Sequence, residues 1–214
     1  TASAGAAMPA TEAPGEVAYL SSGTWSLLGV EIERPLLGPA GRRANLTHEG
    51  GVGGRLRLLS NCMGLWLVQR LKASFDHGRE TPMSYAELAK AAALAASYTA
   101  FVDPDDQSFL NPPDMRLAID DFLARTNQPK PKGPGGYARL IFESLAFRYR
   151  QIVADLAAVT GQRPKRLHLL GGGARNPLLN QLTADALGLP VVAGPYEATA
   201  LGNALLQALA CGLI

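Results

Sequence analysis

The segment from Leu167 to Leu179 has the residue types and spacing of a ligand-binding turn. Its first residues are apolar and predict a buried strand, and glycines fill positions 171–173 directly afterwards. Asn176 is a favoured N-cap residue and Pro177 suits the first position of a helix, so a helix is predicted to begin here. Bare backbone beside the positive end of a helix dipole can hold a flat or anionic group. A nucleotide fits that description, and a tight turn without a ligand is the alternative.

A second candidate anion site lies near the start of the chain. Apolar runs at Val17–Ser21 and Trp25–Val30 predict two strands joined by a tight hairpin at 22–24. Gly23 would allow backbone N–H groups at the tip to face an anion, and the Thr24 hydroxyl can donate to a phosphate oxygen. A simple β-turn is the alternative. Together with the glycine turn, the hairpin would form one nucleotide site, with phosphates at the hairpin and the base at the glycines.

Two amide side chains are candidates for the same cleft. Asn61 is predicted to cap a helix that runs to about Ala73, and Gln69 lies two turns into that helix. Both amides could then face the nucleotide. A structural cap and a solvated surface amide are the alternatives.

Other nucleotide-binding and catalytic motifs are absent from the sequence. A Rossmann site needs spaced glycines and an acidic residue about twenty positions later, whereas the glycines here are contiguous and the strand ending at 192–194 has no acid. There is no Walker G-K-[ST] and no G-x-S-x-G elbow. The histidines are scattered and no cluster has metal-ligand spacing, so no metal site is predicted in the chain.

Composition excludes several partners. The chain has 214 residues, enough for a proper core, and a net charge of +2 from 20 basic and 18 acidic residues without a basic block. Because the charge is balanced and no basic block occurs, nucleic acid is not expected as a partner. No apolar run reaches membrane-spanning length, so a membrane is not expected as a partner either. Cys62 and Cys211 lie in apolar surroundings and indicate reduced packing thiols in a cytoplasmic protein.

The predicted elements alternate between strands and helices. Short strands are expected at Ala44–His48 and Leu56–Leu59, within a glycine-rich region. Further predictions are a helix over 1–9, helices capped by Ser84 (to Ser97) and Asp114 (to Thr126), a long helix Tyr137–Val159 stopped by Gly161, a strand at 167–170, a helix at 177–187, a strand Val191–Ala193 and a helix Glu197–Ala210. Segment 127–136 is interpreted as an internal loop. The order predicts an α/β fold with helices against a mixed sheet.

The sequence resembles the FGGY family of carbohydrate kinases, specifically their second domain. The resemblance rests on stretches that follow one another along nearly the whole chain: Thr1–Ala4, Ala18–Ser26, Asn45–Gly51, Asn61–Leu67 with Gln69, Asp103–Asp106, Phe109–Pro112, Leu169–Gly173 with Asn176, and Val192–Asn203. It implies an actin-like ATPase (ribonuclease-H-like) domain, a five-stranded sheet flanked by helices, with ATP held between two such domains. Residues 1–214 would be the C-terminal nucleotide-binding domain, and the resemblance implies that the N-terminal sugar-binding domain is absent from this sequence.

The resemblance also implies roles for the candidate residues. Gly23 and Thr24 would contact the ATP phosphates, Asn61 and Gln69 would line the nucleotide site, and Mg²⁺ would accompany ATP. The turn formed by Gly171, Gly172 and Gly173, with Asn176, would flank the adenine. In the family the proton-accepting Asp lies in a His-Asp-Thr stretch, which would place it immediately before Thr1. No catalytic residue is therefore expected in this chain, and the isolated chain is expected to be inactive.

The expected reaction is ATP-dependent phosphorylation of the primary 1-hydroxyl of a ketose. Stretches Ser21–Ser26 and Asn61–Trp66 favour L-rhamnulose among the family's substrates. A kinase for fuculose or xylulose is one alternative, because the sugar-binding residues are expected outside this sequence. A non-catalytic actin-like ATP-binding module is the other.

Overall fold

A computed structural model describes residues 13–214, and its centre is one mixed sheet. The strands are β1 (Val17–Ser22), β2 (Trp25–Ile32), β3 (Leu46–Gly50), β4 (Leu56–Met63), β5 (Arg166–Leu170) and β6 (Val191–Ala193). Their order is β3-β4-β2-β1-β5-β6. β1 runs parallel to β5 and β5 parallel to β6, whereas the other neighbours are antiparallel.

The predicted mixed sheet is confirmed, but within residues 13–214 it has six strands rather than the five that the resemblance implied. Both short strands of the glycine-rich region form, and β4 continues well past Leu59 because it pairs with β2 along its whole length. β3 then adds to the outer edge of β4.

Helices alternate with groups of these strands along the chain. They are α1 (Pro39–Arg43), α2 (Trp66–Asp76), α3 (Tyr85–Leu94), α4 (Met115–Arg125), α5 (Gly133–Thr160), α6 (Pro177–Leu187) and α7 (Ala198–Ala210). The helix predicted over 1–9 lies outside the described residues. α3 ends at Leu94 rather than Ser97, so the structure has a longer loop before α4 than the sequence predicted.

Four of the predicted helix caps are confirmed. Ser84 and Glu87 form the expected capping box, and the Asp114 side chain accepts a hydrogen bond from the first turn of α4. Asn176 caps α6 in the same way. Gly161 ends α5 in the left-handed conformation, with φ of 72°.

The long helix α5 packs against the sheet and contributes more buried apolar residues than any other described element. Its residues Ile141, Leu145 and Ile152 recur at helical spacing and are buried. They belong to one apolar cluster with Leu20 and Leu28 of the sheet. The helix begins at Gly133, four residues before the predicted start, since a proline is compatible with the first turn of a helix. Part of the predicted loop 127–136 is therefore helical.

The prediction that Asn61 caps a helix is wrong. Asn61 lies within β4, opposite Leu27 of β2, and α2 begins only at Trp66. Cross-strand pairing with β2 outweighs the local capping preference of an asparagine, because the neighbouring strand satisfies the backbone groups that a helix would otherwise use. The helix ends at Asp76 rather than Ala73.

Candidate functional site

The hairpin between β1 and β2 has an exposed tip. Ser22 pairs with Ser26 across the ladder, and Gly23 donates its N–H to the carbonyl of Trp25 at 3.0 Å. That N–H is therefore engaged and does not face an anion as the sequence suggested. The Thr24 side chain is exposed, and the backbone N–H of Thr24 has no hydrogen-bond partner within residues 13–214. Thr24 thus supplies the donors that the tip can offer to a ligand.

The tip is fastened to the segment that leads into α2. Leu65 N–H donates to the Gly23 carbonyl at 2.9 Å. The N–H groups of Gly64 and Trp66 both donate to the Thr24 carbonyl at 3.1 Å. The tip carbonyls therefore accept hydrogen bonds from this segment, while the Thr24 side chain is exposed.

Gln69 lies beside the tip. The Thr24 Oγ1 is 3.5 Å from both the oxygen and the nitrogen of the Gln69 amide, the outer limit of a hydrogen bond. Asn61 is exposed on β4, and no contact among the described residues joins it to either side chain. The structure brings Thr24 and Gln69 together, but it places Asn61 on β4 and not on the helix of Gln69.

The glycines at 171–173 differ sharply in their surroundings. Gly171 has φ of +83°, and a Cβ there would lie 2.9 Å from the Ser22 carbonyl oxygen. A Cβ at Gly173 would lie 2.0 Å from the Ser22 Oγ. Gly172 is exposed, and a Cβ there would meet nothing within 4 Å. Two of the glycines thus pack the turn onto β1, while the middle one borders open space.

The hairpin and the glycine turn are neighbours because β1 and β5 run parallel. Ser21 lies opposite Leu170, so both strands end at the same edge of the sheet. In α/β folds, ligands bind in the crevice outside the carboxyl ends of parallel strands. The two predicted halves of the site therefore lie side by side at the edge where a ligand is expected.

The start of α7 borders the glycine turn, which sequence reasoning missed. Gly171 N–H donates to the Pro195 carbonyl at 3.3 Å. The guanidinium of Arg175 lies 5.0 Å from the centroid of the Tyr196 ring and 3.4 Å from the carboxylate of Glu197. Tyr196 and Glu197 belong to the stretch Val192–Asn203, which contributed to the family resemblance, but the sequence analysis gave them no role.

Asp105 is a second residue that the sequence analysis missed. One of its carboxylate oxygens accepts the Met63 N–H at 2.7 Å, and the other accepts from Nε of Arg148 at 2.8 Å. Asp105 thereby links the end of β4 to α5. This link lies just before residues 64–66, whose N–H groups hold the hairpin tip and which we call the hairpin anchor. The Asp103–Asp106 stretch contributed to the family resemblance, but Asp105 was given no role.

No group of three His, Cys, Asp or Glu side chains that could hold a metal ion occurs within residues 13–214. Burial, aided by nearby Asp105, raises the pKa of the Cys62 thiol to about 12, so this thiol stays protonated. Cys211 is exposed rather than packed, so the prediction of a packing thiol is wrong there. Within the described ranges, no helix is long and apolar enough to cross a bilayer.

Residues 18–211 match the FGGY family of carbohydrate kinases, C-terminal domain. The chain belongs to that family. It is 47% identical over 212 residues to a rhamnulokinase of Bacteroides thetaiotaomicron, covering 99% of this chain and 42% of that protein. It is 44% identical over 197 residues to a rhamnulokinase of Pectobacterium carotovorum, covering 92% of this chain and 39% of that protein. The chain therefore spans well under half the length of the curated relatives it matches.

Solved structures confirm the fold. A xylulose kinase from Rhodospirillum rubrum superposes with a TM-score of 0.68 at 23% identity, covering 99% of this chain and 41% of that one. A glycerol kinase from Plasmodium falciparum, solved with ADP, gives a TM-score of 0.67 at 18% identity, covering 100% of this chain and 42% of that one. The predicted actin-like ATPase fold, a mixed sheet flanked by helices, is thus the fold of this chain.

Proposed function

We propose that this chain is the C-terminal, ATP-binding domain of a two-domain kinase that phosphorylates L-rhamnulose to L-rhamnulose 1-phosphate. The observation that carries the proposal is the meeting of the hairpin tip and the open glycine turn at one sheet edge. This geometry occurs in a chain that is 47% identical to a rhamnulokinase.

Each end of the site would receive a different part of ATP. Thr24 is exposed at the hairpin, and its N–H has no backbone partner among the described residues, so its hydroxyl and N–H can donate to phosphate oxygens. The Gln69 amide at 3.5 Å from Oγ1 would orient that hydroxyl. At the other end, the open space over Gly172 would accept the flat adenine, with the Asn176 turn beside it.

Phosphoryl transfer requires mainly positioning and charge stabilisation, so a domain without a base can still contribute strongly. The described residues offer no metal cage, so Mg²⁺ enters the proposal as part of the substrate MgATP, coordinated chiefly by phosphate oxygens and water. The chain's own donors would hold the terminal phosphate in line with the sugar. The proton-accepting carboxylate would come from a residue before Thr1.

The sugar site belongs, in this proposal, to an N-terminal domain that precedes the chain. Rhamnulokinase relatives are more than twice as long as the stretch they share with this chain, since it covers only 42% of one and 39% of another. Closure of the two domains over ATP and sugar would exclude water and favour the sugar as acceptor. We assign the kinase to the cytoplasm, where ATP is available.

The substrate is tested by turnover of the complete kinase with MgATP and a panel of L-rhamnulose, L-fuculose and D-xylulose. L-Rhamnulose should give the highest kcat/KM in a coupled ADP-release assay, and the 214-residue chain alone should stay at background. A higher kcat/KM with another ketose would replace the substrate and keep the kinase. ATP binding without turnover on any sugar would favour a non-catalytic module.

The adenine end is tested by Gly172→Val. A side chain would enter the open space proposed for the base and should raise the KM for ATP about tenfold, equivalent to about 1.4 kcal/mol, while the KM for sugar stays unchanged. Gly50→Val is the matched control, because Gly50 is also exposed with nothing within 4 Å of its Cβ position but lies on β3. An unchanged KM for ATP in Gly172→Val would show that the turn has no nucleotide on it.

A further inference from the structure

The two residues at the base of the hairpin are serines, and both are almost completely buried. Ser22 and Ser26 pair across the ladder and have exposed fractions of 1% and 0%. The next pair inward on this face of the sheet is Leu20 with Leu28, which belongs to the apolar core. Two hydroxyls therefore replace apolar side chains directly beneath the exposed tip.

A tyrosine from the long helix reaches these hydroxyls. The Tyr149 OH lies 2.7 Å from the Ser26 Oγ, and the phenol is fully buried. The Ser22 hydroxyl is close enough to the phenol to lower its pKa, although its geometry is not that of a formed hydrogen bond. Burial outweighs both serines and raises the pKa of Tyr149 well above its ordinary value, so the phenol stays neutral.

Each serine also contacts one of the glycines that shape the site. The Ser26 Oγ lies 2.6 Å from where a Cβ at Gly64 would be, at the anchor of the hairpin tip. The Ser22 Oγ lies 2.0 Å from a Cβ position at Gly173, in the glycine turn. The hydroxyl pair thus fills the space between the phenol and the two turns.

The neighbouring residue of α5 reinforces the same connection. Arg148 donates to Asp105 at 2.8 Å, and Asp105 accepts the Met63 N–H at 2.7 Å, next to Gly64. Consecutive residues of one rigid helix therefore reach the base of the hairpin directly and the start of its anchor through Asp105. α5 is in a position to fix the distance between the phosphate end and the rest of the domain.

We infer that Tyr149 is a positioning residue for phosphoryl transfer, acting through Ser26 to hold Thr24 in place beside the glycine turn. The inference rests on the proposed function. Hydrogen bonds are directional, whereas apolar packing at this point would permit small rotations of the hairpin. Displacement of a donor by about 1 Å is enough to slow a transfer step severely, so the effect should fall on kcat rather than on ATP binding.

Tyr137 provides a matched control in the same helix. It is buried, and its phenol donates to the Asp120 carboxylate. It lies twelve residues before Tyr149, which is about 18 Å along a helix. Tyr137→Phe therefore removes a comparable buried hydroxyl bond far from the hairpin.

The experiment compares the complete kinase with its Tyr149→Phe and Tyr137→Phe variants. The readouts are kcat, KM for ATP, the Kd of a non-hydrolysable ATP analogue, and Tm. Both variants should have a lower Tm than the wild type. Only Tyr149→Phe should have a lower kcat, by about tenfold or more, while its Kd for the ATP analogue changes less than about threefold. Should Tyr149→Phe fail to fold, Ser26→Ala carries the same expectation, since it removes the other member of the pair.

The outcomes separate the inference from the function beneath it. Wild-type kcat in Tyr149→Phe, or an equal loss of kcat in Tyr137→Phe, overturns the positioning role and leaves the kinase assignment intact. A wild-type protein that neither binds the ATP analogue nor turns over ATP overturns the proposed function, and the inference falls with it. A loss of kcat confined to Tyr149→Phe and Ser26→Ala supports the role.

Discussion

The hairpin tip and the glycine turn meet at Ser22, yet they are held in different ways. The tip is fixed by hydrogen bonds, with three N–H groups of the α2 anchor donating to the carbonyls of Gly23 and Thr24. The glycine turn is fixed largely by close contact, since Cβ atoms at Gly171 and Gly173 would collide with Ser22. The hairpin tip is thus held mainly by backbone hydrogen bonds. The glycine turn is held mainly by close packing on Ser22, which is possible because Gly171 and Gly173 have no side chains.

This difference predicts how each end responds to substitution. At the tip, the Thr24 side chain is exposed, so changing its polarity should alter the rate of phosphoryl transfer with little effect on folding. At the glycine turn, Gly171 and Gly173 have no room for a Cβ, so an added side chain there should disturb folding before it disturbs chemistry. Only Gly172 has space around it, and there alone should a side chain affect ligand binding directly.

The largest expected effect is that of Thr24→Val in the complete kinase. Valine keeps the shape and removes the hydroxyl, so kcat should fall about a hundredfold, or roughly 2.7 kcal/mol, with a smaller change in the KM for ATP. The reason is that a donor acting mainly on the transition state lowers the barrier more than it strengthens ground-state binding. Steady-state kinetics with varied ATP measure both parameters.

Two further substitutions make this result specific. Thr24→Ser should keep most activity, because it retains a hydroxyl, and Thr47→Val removes an exposed threonine hydroxyl from β3 as a neutral control. Wild-type turnover by Thr24→Val would mean that the tip contributes only its backbone N–H and that threonine is there for its strand preference.

An intermediate effect is expected when Gly173→Ala is compared with Gly172→Ala. The methyl group at Gly173 would lie 2.0 Å from the Ser22 Oγ and 2.6 Å from its Cβ in a buried position, so the free energy of unfolding should fall by about 1–3 kcal/mol. Gly172→Ala meets open space and should leave stability unchanged. Urea denaturation measures both, and equal stabilities of the two variants would contradict the packing account of this turn.

Local signals in the sequence predicted the parts of the site that depend on neighbouring residues. The hairpin, the glycine turn and the Asn176 cap all form, because turn and cap preferences act over a few residues. The glycines at 50–54 show the limit of that reasoning. They look like those at 171–173 in the sequence, but Gly50, Gly53 and Gly54 have nothing near their Cβ positions.

Long-range contacts were beyond the sequence analysis. The prediction for Asn61 failed because the pairing of β4 with β2 is decided by residues about thirty positions away. Ser26 and Tyr149 are 123 residues apart, and Asp105 and Arg148 are 43 apart. No pattern in either segment announces such a partner, since a serine at a strand end and a tyrosine in a helix are each ordinary by themselves.

The smallest expected effect concerns acid, and it should fall on only one side of the comparison. His168 lies on β5, the strand that leads into the glycine turn, opposite Tyr19. It is 3% exposed, and neither ring nitrogen has a hydrogen-bond partner within the described residues. Burial, followed by the charge of Arg166, lowers the pKa of His168 below its ordinary value of 6.5.

A lowered pKa in the folded state means that the unfolded chain binds the proton first. Stability should therefore be complete above about pH 6.5 and decline as the pH falls from there towards the lower folded-state pKa. Tm measured against pH should show this decline in the wild type and a shallower one in His168→Phe, with the exposed His77→Gln as control. Amide exchange in acid should speed up at Leu169–Gly173 before it does at the hairpin, because the hairpin's anchor is made of backbone bonds that do not titrate. Equal slopes in wild type and His168→Phe, or faster exchange at the hairpin, would show that the glycine turn is not the acid-sensitive end of the site.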